Sequence, residues 1–308
     1  MRALVVSNMR PDAAHPERGR FVRDQVAALR GLEGLEVELH EFPPGPRALV
    51  GAALGLRRGR RARFDVVHAH FGLSAWPALA VNARVRALTV HGSDIRRPRT
   101  RVATAAVLPR IELLAAASAA LVHELPGRRA RERALVLPCG VDLERFRARS
   151  RADARAELGL ESDGPFLLFP ADPARAEKRH DRARALAQAA GVPLLTLGGV
   201  APERVPLWIN AANAVLVPSQ REGFGLAVLE ALACDVPVLA TPVGVHREAL
   251  AGVAGTLCAP FELAGWRAAL EPHLRDPDPR VEGRSGASRF SAHAMAVRVA
   301  DAWRAALA

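Results

Sequence analysis

Two glutamates, Glu222 and Glu230, stand in the stretch "PSQREGFGLAVLEALACDVPVLATPVG" (residues 218–244), separated by seven residues that include Gly223 and Gly225. The first follows an apolar run ending at Ser219; the second lies in "FGLAVLEALA", whose spacing predicts a helix starting near Gly225. Glycines at such a turn let a ligand approach the backbone, and the N–H groups at a helix start attract an anion. Carboxylates on both sides of the turn could then grip one polyhydroxylated ligand at separated hydroxyls. Each piece also has a plainer reading, as a loop charge, a solvated helix residue or a turn former.

A carboxylate beside an anion site needs a cation to compensate it. Lys178, in "PADPARAEKRH", is the one lysine among 43 basic residues, the rest being arginine. Either this position needs a compact ammonium or a lysine survives there on a solvated helix end. Arg175, three residues earlier, is the second candidate cation.

The elements that must hold these residues follow from the apolar runs. Strands are expected at Ala3–Ser7, Val37–Phe42, Asp65–His70, Ala87–His91, Ala119–His123 and Leu135–Leu137, and again at Phe166–Phe169, Leu194–Leu197, Val215–Val217, Val236–Ala240 and Thr256–Leu257. In "FVRDQVAAL", Val22, Val26 and Leu29 share one helical face, which makes a β-α-β rhythm. The rhythm restarts after the polar stretch "RARSRADARAELGLESDG", the natural boundary. The reading is α/β: two Rossmann-like, doubly wound parallel-sheet domains facing across a cleft, with ligands at the carboxyl ends of the strands.

Composition narrows the class. A chain of 308 residues, half of them hydrophobic, can bury two cores. Its longest apolar run, from Leu113 to Val122, is about half of the roughly 20 residues needed to cross a bilayer. "MRALVVSN" suits a first strand better than a signal peptide, so the chain is expected in the cytoplasm. Cys139, Cys234 and Cys258 fit no disulfide or zinc pattern and read as buried small hydrophobes. Residues 1–150 hold 26 Arg against 14 acidic residues, a net of +12, whereas residues 151–308 hold 17 basic and 18 acidic, a net of −1. No recognition motif or interleaved aromatics accompany the arginines, and Tyr is absent, so nucleic acid is not an expected partner. The apolar stretch Leu49–Leu56 runs into Arg57, Arg58, Arg60, Arg61 and Arg63, and "RRPRTR" follows at 96–101. These read as a foot for an anionic membrane surface, peripheral at the inner face of the cell membrane, or as a solvated face holding a soluble acidic acceptor.

Taken together, "HAHFGLSAWPALA" (68–80), "TVHGSD" (89–94), "LPCGVDLERF" (137–146), "EKRHDRA" (177–183) and the stretch 210–244 resemble the family 4 retaining glycosyltransferases of the GT-B fold, over most of the chain. The resemblance implies sugar transfer from a nucleotide-sugar donor to a hydroxyl of a glycan or lipid-linked acceptor, with anomeric configuration retained. It divides the chain into an acceptor-side domain (1–150), a donor-binding domain (151–288) and a terminal helix (289–308) returning to the first. It implies Glu222 on the donor sugar, Lys178 and Arg175 on the diphosphate and His91 near the reacting sugar as the catalytic set. Glu230 is expected on the ribose. Ser219, Gly223, Phe224, Gly225, Leu226, Gly198 and Gly19 complete the donor side, and His70, Gly92 and Asp94 the acceptor side. Asp235 stands where the family usually has Gly, Cys139 where it has Asn, and Gly19 alone replaces a Gly-Gly loop.

No cofactor is expected. The sole Asp-x-Asp pair, Asp276 and Asp278 in "RDPDPR", reads as a turn rather than a metal site. Two other functions share this architecture: a catalytically silent sugar-nucleotide or anionic-glycan binding module, and a sugar-nucleotide epimerase.

Overall fold

Short apolar runs between Gly, Pro and polar turns become two all-parallel sheets, each pairing built through a helical crossover. The computed structural model describes residues 1–58, 63–160 and 164–308. The first sheet comprises β1 (Arg2–Ser7), β2 (Glu36–Glu41), β3 (Phe64–His70), β4 (Ala83–Val90), β5 (Leu113–Ala116) and β6 (Leu135–Val136) in the order β2-β1-β3-β4-β5-β6. The second comprises β7 (Leu167–Phe169), β8 (Leu194–Thr196), β9 (Ala214–Val217), β10 (Val238–Ala240) and β11 (Leu257–Cys258) in the order β11-β10-β9-β7-β8. Both are doubly wound: strand order reverses between β1 and β3 in one and between β7 and β9 in the other, and loops leaving those strands splay apart.

One expected strand is a helix. Ala119–His123 lies in the helix Ala119–Glu124, and the strand is Leu113–Ala116. The run from Leu113 to Val122 is apolar on both sides of Ser118, so periodicity does not separate its halves. Ser118 does, because its Oγ accepts from Leu121 N and caps the helix.

Contacts divide the chain into Met1–Gly140 with Ala292–Ala308, and Val141–Ser291. The polar stretch from Arg147 therefore lies inside the second unit. Arg151 and Arg155, within this polar stretch, are buried. Arg151 donates to Asn213 Oδ1 at 2.6 Å, and Arg155 donates to the Ala211 carbonyl at 3.0 Å with its guanidinium 4.8 Å from the Phe166 ring centre. Asp235 adopts a left-handed φ of 55°. The carboxylate makes that backbone useful: its Oδ1 accepts from the N–H groups of Gly283 (3.0 Å) and Arg284 (2.9 Å), at the start of the helix Arg284–Ser288.

The terminal helix, Ala292–Leu307, buries Met295, Ala296, Val299, Ala300 and Trp303 against the first sheet and against the helix Arg20–Arg30. Trp303 donates from Nε1 to His68 Nδ1 at 3.1 Å. Removing this fully buried ring in Trp303→Ala is expected to cost about 3–5 kcal/mol. Hydrogen exchange read strand by strand checks it: amides of β3 and β4 lose protection while those of β7 and β9 keep theirs.

Candidate active site

In the second unit the site residues gather over the strand-order reversal. β7 ends at Phe169 and its loop leads into the short 3-10 turn Ala176–Lys178; β9 ends at Val217 and its loop leads through Ser219 to Glu222. The backbone staples the two loops, with Gln220 N–H donating to the Glu177 carbonyl at 2.9 Å. Lys178 Nζ then reaches both oxygens of Glu222, at 2.8 and 2.7 Å, and Ser219 Oγ donates to Glu222 Oε1 at 2.7 Å. The pair is largely out of water, with side-chain exposures of 15% and 7%. Burial alone would raise the Glu222 carboxyl; the Lys178 charge and its hydrogen bonds outweigh that and hold the group below its ordinary value.

The helix after this loop, Leu226–Ala233, starts at Gly225, whose φ of 112° no ordinary side chain adopts. A Cβ there would also lie 2.5 Å from His246 Nε2. His246 is fully buried and donates from Nδ1 to the Thr241 carbonyl at 2.8 Å; Thr241 Oγ1 in turn donates to the Ser219 carbonyl at 2.5 Å. Gly244, at φ 59°, is tighter still, since a Cβ would meet the Phe224 carbonyl oxygen at 2.2 Å and Glu222 Cβ at 3.0 Å. The loop after β10 therefore forms the floor beneath Glu222.

In the first unit three imidazoles line up along the carboxyl ends of β3 and β4. His68 and His70 have ring centres 4.8 Å apart, and His70 and His91 5.1 Å, each pair tilted by 21°. His70 Nδ1 and His91 Nε2 share a 2.9 Å hydrogen bond, and His68 Nε2 bonds Thr89 Oγ1 at 2.8 Å. Phe21 and Phe71 each close on His91 with ring centres 4.8 Å away. Phe71 carries a positive φ of 70°, and Gly72 after it must lack a Cβ, which would overlap Thr104 Oγ1 at 1.9 Å. Asp94 ties the loop: Oδ1 accepts from Gly92 N (2.8 Å) and His91 N (3.1 Å), and Oδ2 accepts from Gly72 N (3.3 Å). Gly19 starts the helix Arg20–Arg30 at φ 68°, and a Cβ there would meet the Met9 carbonyl at 2.3 Å.

Comparison with known proteins matches two family models to these two halves: Glycosyltransferase Family 4 over residues 2–145 and Glycosyl transferases group 1 over residues 171–288. The D-inositol 3-phosphate glycosyltransferase of Frankia alni is 32% identical over 310 residues, covering 82% of this chain and 76% of the relative. The chain belongs to glycosyltransferase family 4. A second relative of the same name, from Actinosynnema mirum, is 32% identical with 86% and 78% coverage. Among solved structures, sucrose-phosphate synthase of Thermosynechococcus elongatus superimposes with a TM-score of 0.73 at 22% identity, covering 99% of this chain and 98% of the other. Anabaena HepE, solved with UDP and glucose, gives 0.70 at 16% identity with 99% of each chain covered. The transferase thus has the GT-B architecture.

Of the residues expected at the donor side of this glycosyltransferase, Lys178, Ser219, Glu222, Gly223 and Gly225 come together. Leu226 opens the helix, and Glu230 lies on it five positions beyond Gly225, about one and a half turns. Phe224 is buried edge-on against Phe290, so its side chain supports the turn. Gly198 lies in the loop after β8, where a Cβ would approach Asp172 Cα to 3.2 Å. Arg175 is not brought to Glu222: its side chain is 55% exposed and bonds Glu177 Oε1 at 2.8 Å. Of the cysteines, Cys234 is buried, whereas Cys139 and Cys258 are half-exposed, unlike the expectation for all three. Asp276 Oδ1 accepts from Asp278 N at 2.9 Å, a turn, and Asp278 pairs with Arg280 at 2.7 Å. His246, Thr241 and Gly244 went unread, and only the Gly after "TPV" carried a signal in sequence.

Two outcomes test the electrostatics. Removing one partner of a buried pair strands the other charge, so Lys178→Ala is expected to lose about 3–5 kcal/mol of stability, most of it regained when Glu222→Gln is added. Denaturant unfolding of both variants decides this. Burial holds His68 and His91 down at about 3 and pushes His70 well below its usual value. Below pH 6.5 the unfolded chain takes up protons that the folded imidazoles refuse, so stability falls as pH falls, by up to about 1.4 kcal/mol per pH unit for each histidine. His40, His246 and His273 are lowered too and act in the same direction. Unfolding at pH 7.5, 6.0 and 5.0 should show this slope, and His68→Asn should reduce it.

Proposed function

We propose that this glycosyltransferase transfers a sugar from a nucleoside diphosphate sugar to an acceptor hydroxyl with retention, without a metal ion, and that the Lys178–Glu222 pair is the centre of its donor site. The observation that carries the reading is the position of that pair at the strand-order reversal, beside the N-terminus of the helix Leu226–Ala233. Lys178 has three N–H donors and commits two directions to Glu222, so a further N–H is available to a phosphate oxygen. In the reaction the bond between the anomeric carbon and the phosphate oxygen breaks while the acceptor oxygen bonds the same face of that carbon. The acceptor proton passes to the departing phosphate. Negative charge grows on that phosphate, and Lys178 with the helix N–H groups stabilises it, the task a divalent cation performs elsewhere. Glu222 positions the sugar, Glu230 accepts from the ribose, and His91 lies near the reacting sugar. No protein nucleophile is required.

A thermal-shift panel of UDP-, GDP-, ADP- and TDP-sugars identifies the donor; binding at a hundred times the dissociation constant stabilises by about 2.7 kcal/mol. With that donor, and with D-inositol 3-phosphate tried first as a soluble acidic acceptor after the relatives' name, Lys178→Ala should cut turnover about a hundred-fold or more and Lys178→Arg less. Glu222→Gln should lower kcat about ten- to a thousand-fold, whereas Glu230→Gln should mainly weaken nucleotide binding. Activity should survive excess EDTA. Wild-type turnover in Lys178→Ala, or a collapse in EDTA rescued by Mg²⁺, would sink the reading.

A membrane-bound acceptor is favoured by one surface. The helix Pro46–Arg58 buries only Ala52, exposes Val50 (59%) and Leu54 (51%), and ends in Arg57 and Arg58. Arg60 and Arg61 lie outside the described residues; Arg63 is exposed. Among the described residues no helix is long and apolar enough to cross a membrane. An amphipathic helix of this kind lies in the headgroup plane, each arginine adding about 1 kcal/mol on an anionic leaflet. Co-sedimentation with phosphatidylglycerol vesicles should occur at low salt and fade at high salt, and Leu54→Asp should abolish it. A wild-type chain that stays in the supernatant at low salt points instead to a soluble acceptor.

A further inference from the structure

His91 is expected to meet the sugar, but an imidazole can do so in two opposite ways, as a donor or as an acceptor, and its neighbour decides which. The bond between His70 Nδ1 and His91 Nε2 contains one proton if both rings are neutral. If His91 owns that proton, His70 must carry its own on Nε2. That atom is buried and has no hydrogen-bond partner among the described residues. A buried N–H without an acceptor is the rarer and costlier orphan; a buried nitrogen lone pair is tolerated more readily. If instead His70 donates from Nδ1, its Nε2 is bare and no N–H is stranded.

The rest of the stack has no competing proton to offer. Trp303 donates to His68 Nδ1, which places the His68 proton on Nε2, where Thr89 Oγ1 accepts it. His68 therefore meets His70 only through ring stacking. His70 is 1% exposed and held by its contacts to His68 and His91, while His91 is partly exposed, with the Phe21 and Phe71 rings packed obliquely against it. Asp94 spends its oxygens on backbone N–H groups and leaves the His91 ring to His70.

We infer that His70 is a positioning residue that locks His91 in the Nδ1–H tautomer, so that His91 meets the ligand as a hydrogen-bond donor and not as a base. The donor's target is an oxygen of the sugar or of the acceptor, and the acceptor proton must leave by another route, which the departing phosphate supplies. The functional part of this inference rests on the reading that His91 touches the reacting groups; the tautomer does not.

Long-range ¹H–¹⁵N correlation of the imidazoles in the full-length protein reads the tautomer directly, with the two rings assigned from His70→Asn and His91→Asn. The expected result is a protonated Nδ1 and a bare Nε2 on His91; the reverse pattern overturns the inference. Turnover is followed as release of the nucleoside diphosphate. His70→Leu should lower kcat about ten- to a hundred-fold with little change in KM. His70→Asn, whose amide N–H can take the place of Nδ1–H, should recover most of the loss. Thermal unfolding and nucleoside diphosphate affinity, the latter a property of the other unit, establish that each variant is folded. Wild-type kcat in a folded His70→Leu overturns the positioning role. Wild-type kcat in His91→Ala, with the Nδ1–H tautomer seen, overturns the reading of His91 as a site residue while the tautomer assignment stands.

Discussion

A parallel sheet wound outward in both directions from two adjacent strands leaves the loops of those strands splayed at one edge, and most candidate residues in this chain are placed by that constraint. In the second unit the strands are β7 and β9, and Lys178 and Glu222 arrive from opposite sides of the reversal. In the first they are β1 and β3, and the loop after β1 carries Met9 against Gly19 while β3 ends in His70. His91 joins from β4, one strand further on. Neither site could be assembled by a sheet wound one way only, because successive loops would then cover each other's strand ends.

The two halves solve opposite electrostatic problems with the same architecture. The second buries charge and keeps it, since Glu222 has Lys178 and Ser219 within hydrogen-bond distance and its burial penalty is overcome. The first buries imidazoles and keeps them neutral by desolvation: Asp94, in the same loop as His91, spends its oxygens on backbone N–H groups and is itself raised by burial. A charged cluster suits a diphosphate. A neutral, directional stack suits hydroxyl groups.

Much of this was legible in the sequence because strands in a parallel sheet are buried on both faces and appear as uninterrupted apolar runs. Ten of the eleven expected strands overlap observed ones; the exception, Ala119–His123, sits where one apolar run contains a strand, a cap and a helix in turn. The Glu-Gly-Phe-Gly turn was legible from its glycines between two glutamates and Lys178 as the one lysine among the basic residues, whereas the HGSD loop entered only through the family resemblance. What escaped depends on tertiary partners. Arg151 and Arg155 look like solvent-facing arginines until Asn213 and Phe166 are placed beside them. His246 has no local pattern at all: it is defined by the missing Cβ of a glycine twenty-one positions earlier. Arg175 lies where its loop turns it, toward Glu177, a placement that the spacing in the sequence does not show.

The return of the terminal helix to the first sheet has a consequence for how the chain reaches this structure. The second unit is one continuous segment, Val141–Ser291, and carries everything its core requires. The first is not: His68 Nδ1 acquires its donor, and the cluster around Val5, Val26 and Val66 part of its cover, from Met295, Val299 and Trp303. During synthesis, where the amino-terminal domain ordinarily completes first, the order is inverted here. The opening sheet must wait, with part of one apolar face left bare beside the helix Arg20–Arg30, until the whole of the other unit and the helix Ala292–Leu307 have been made.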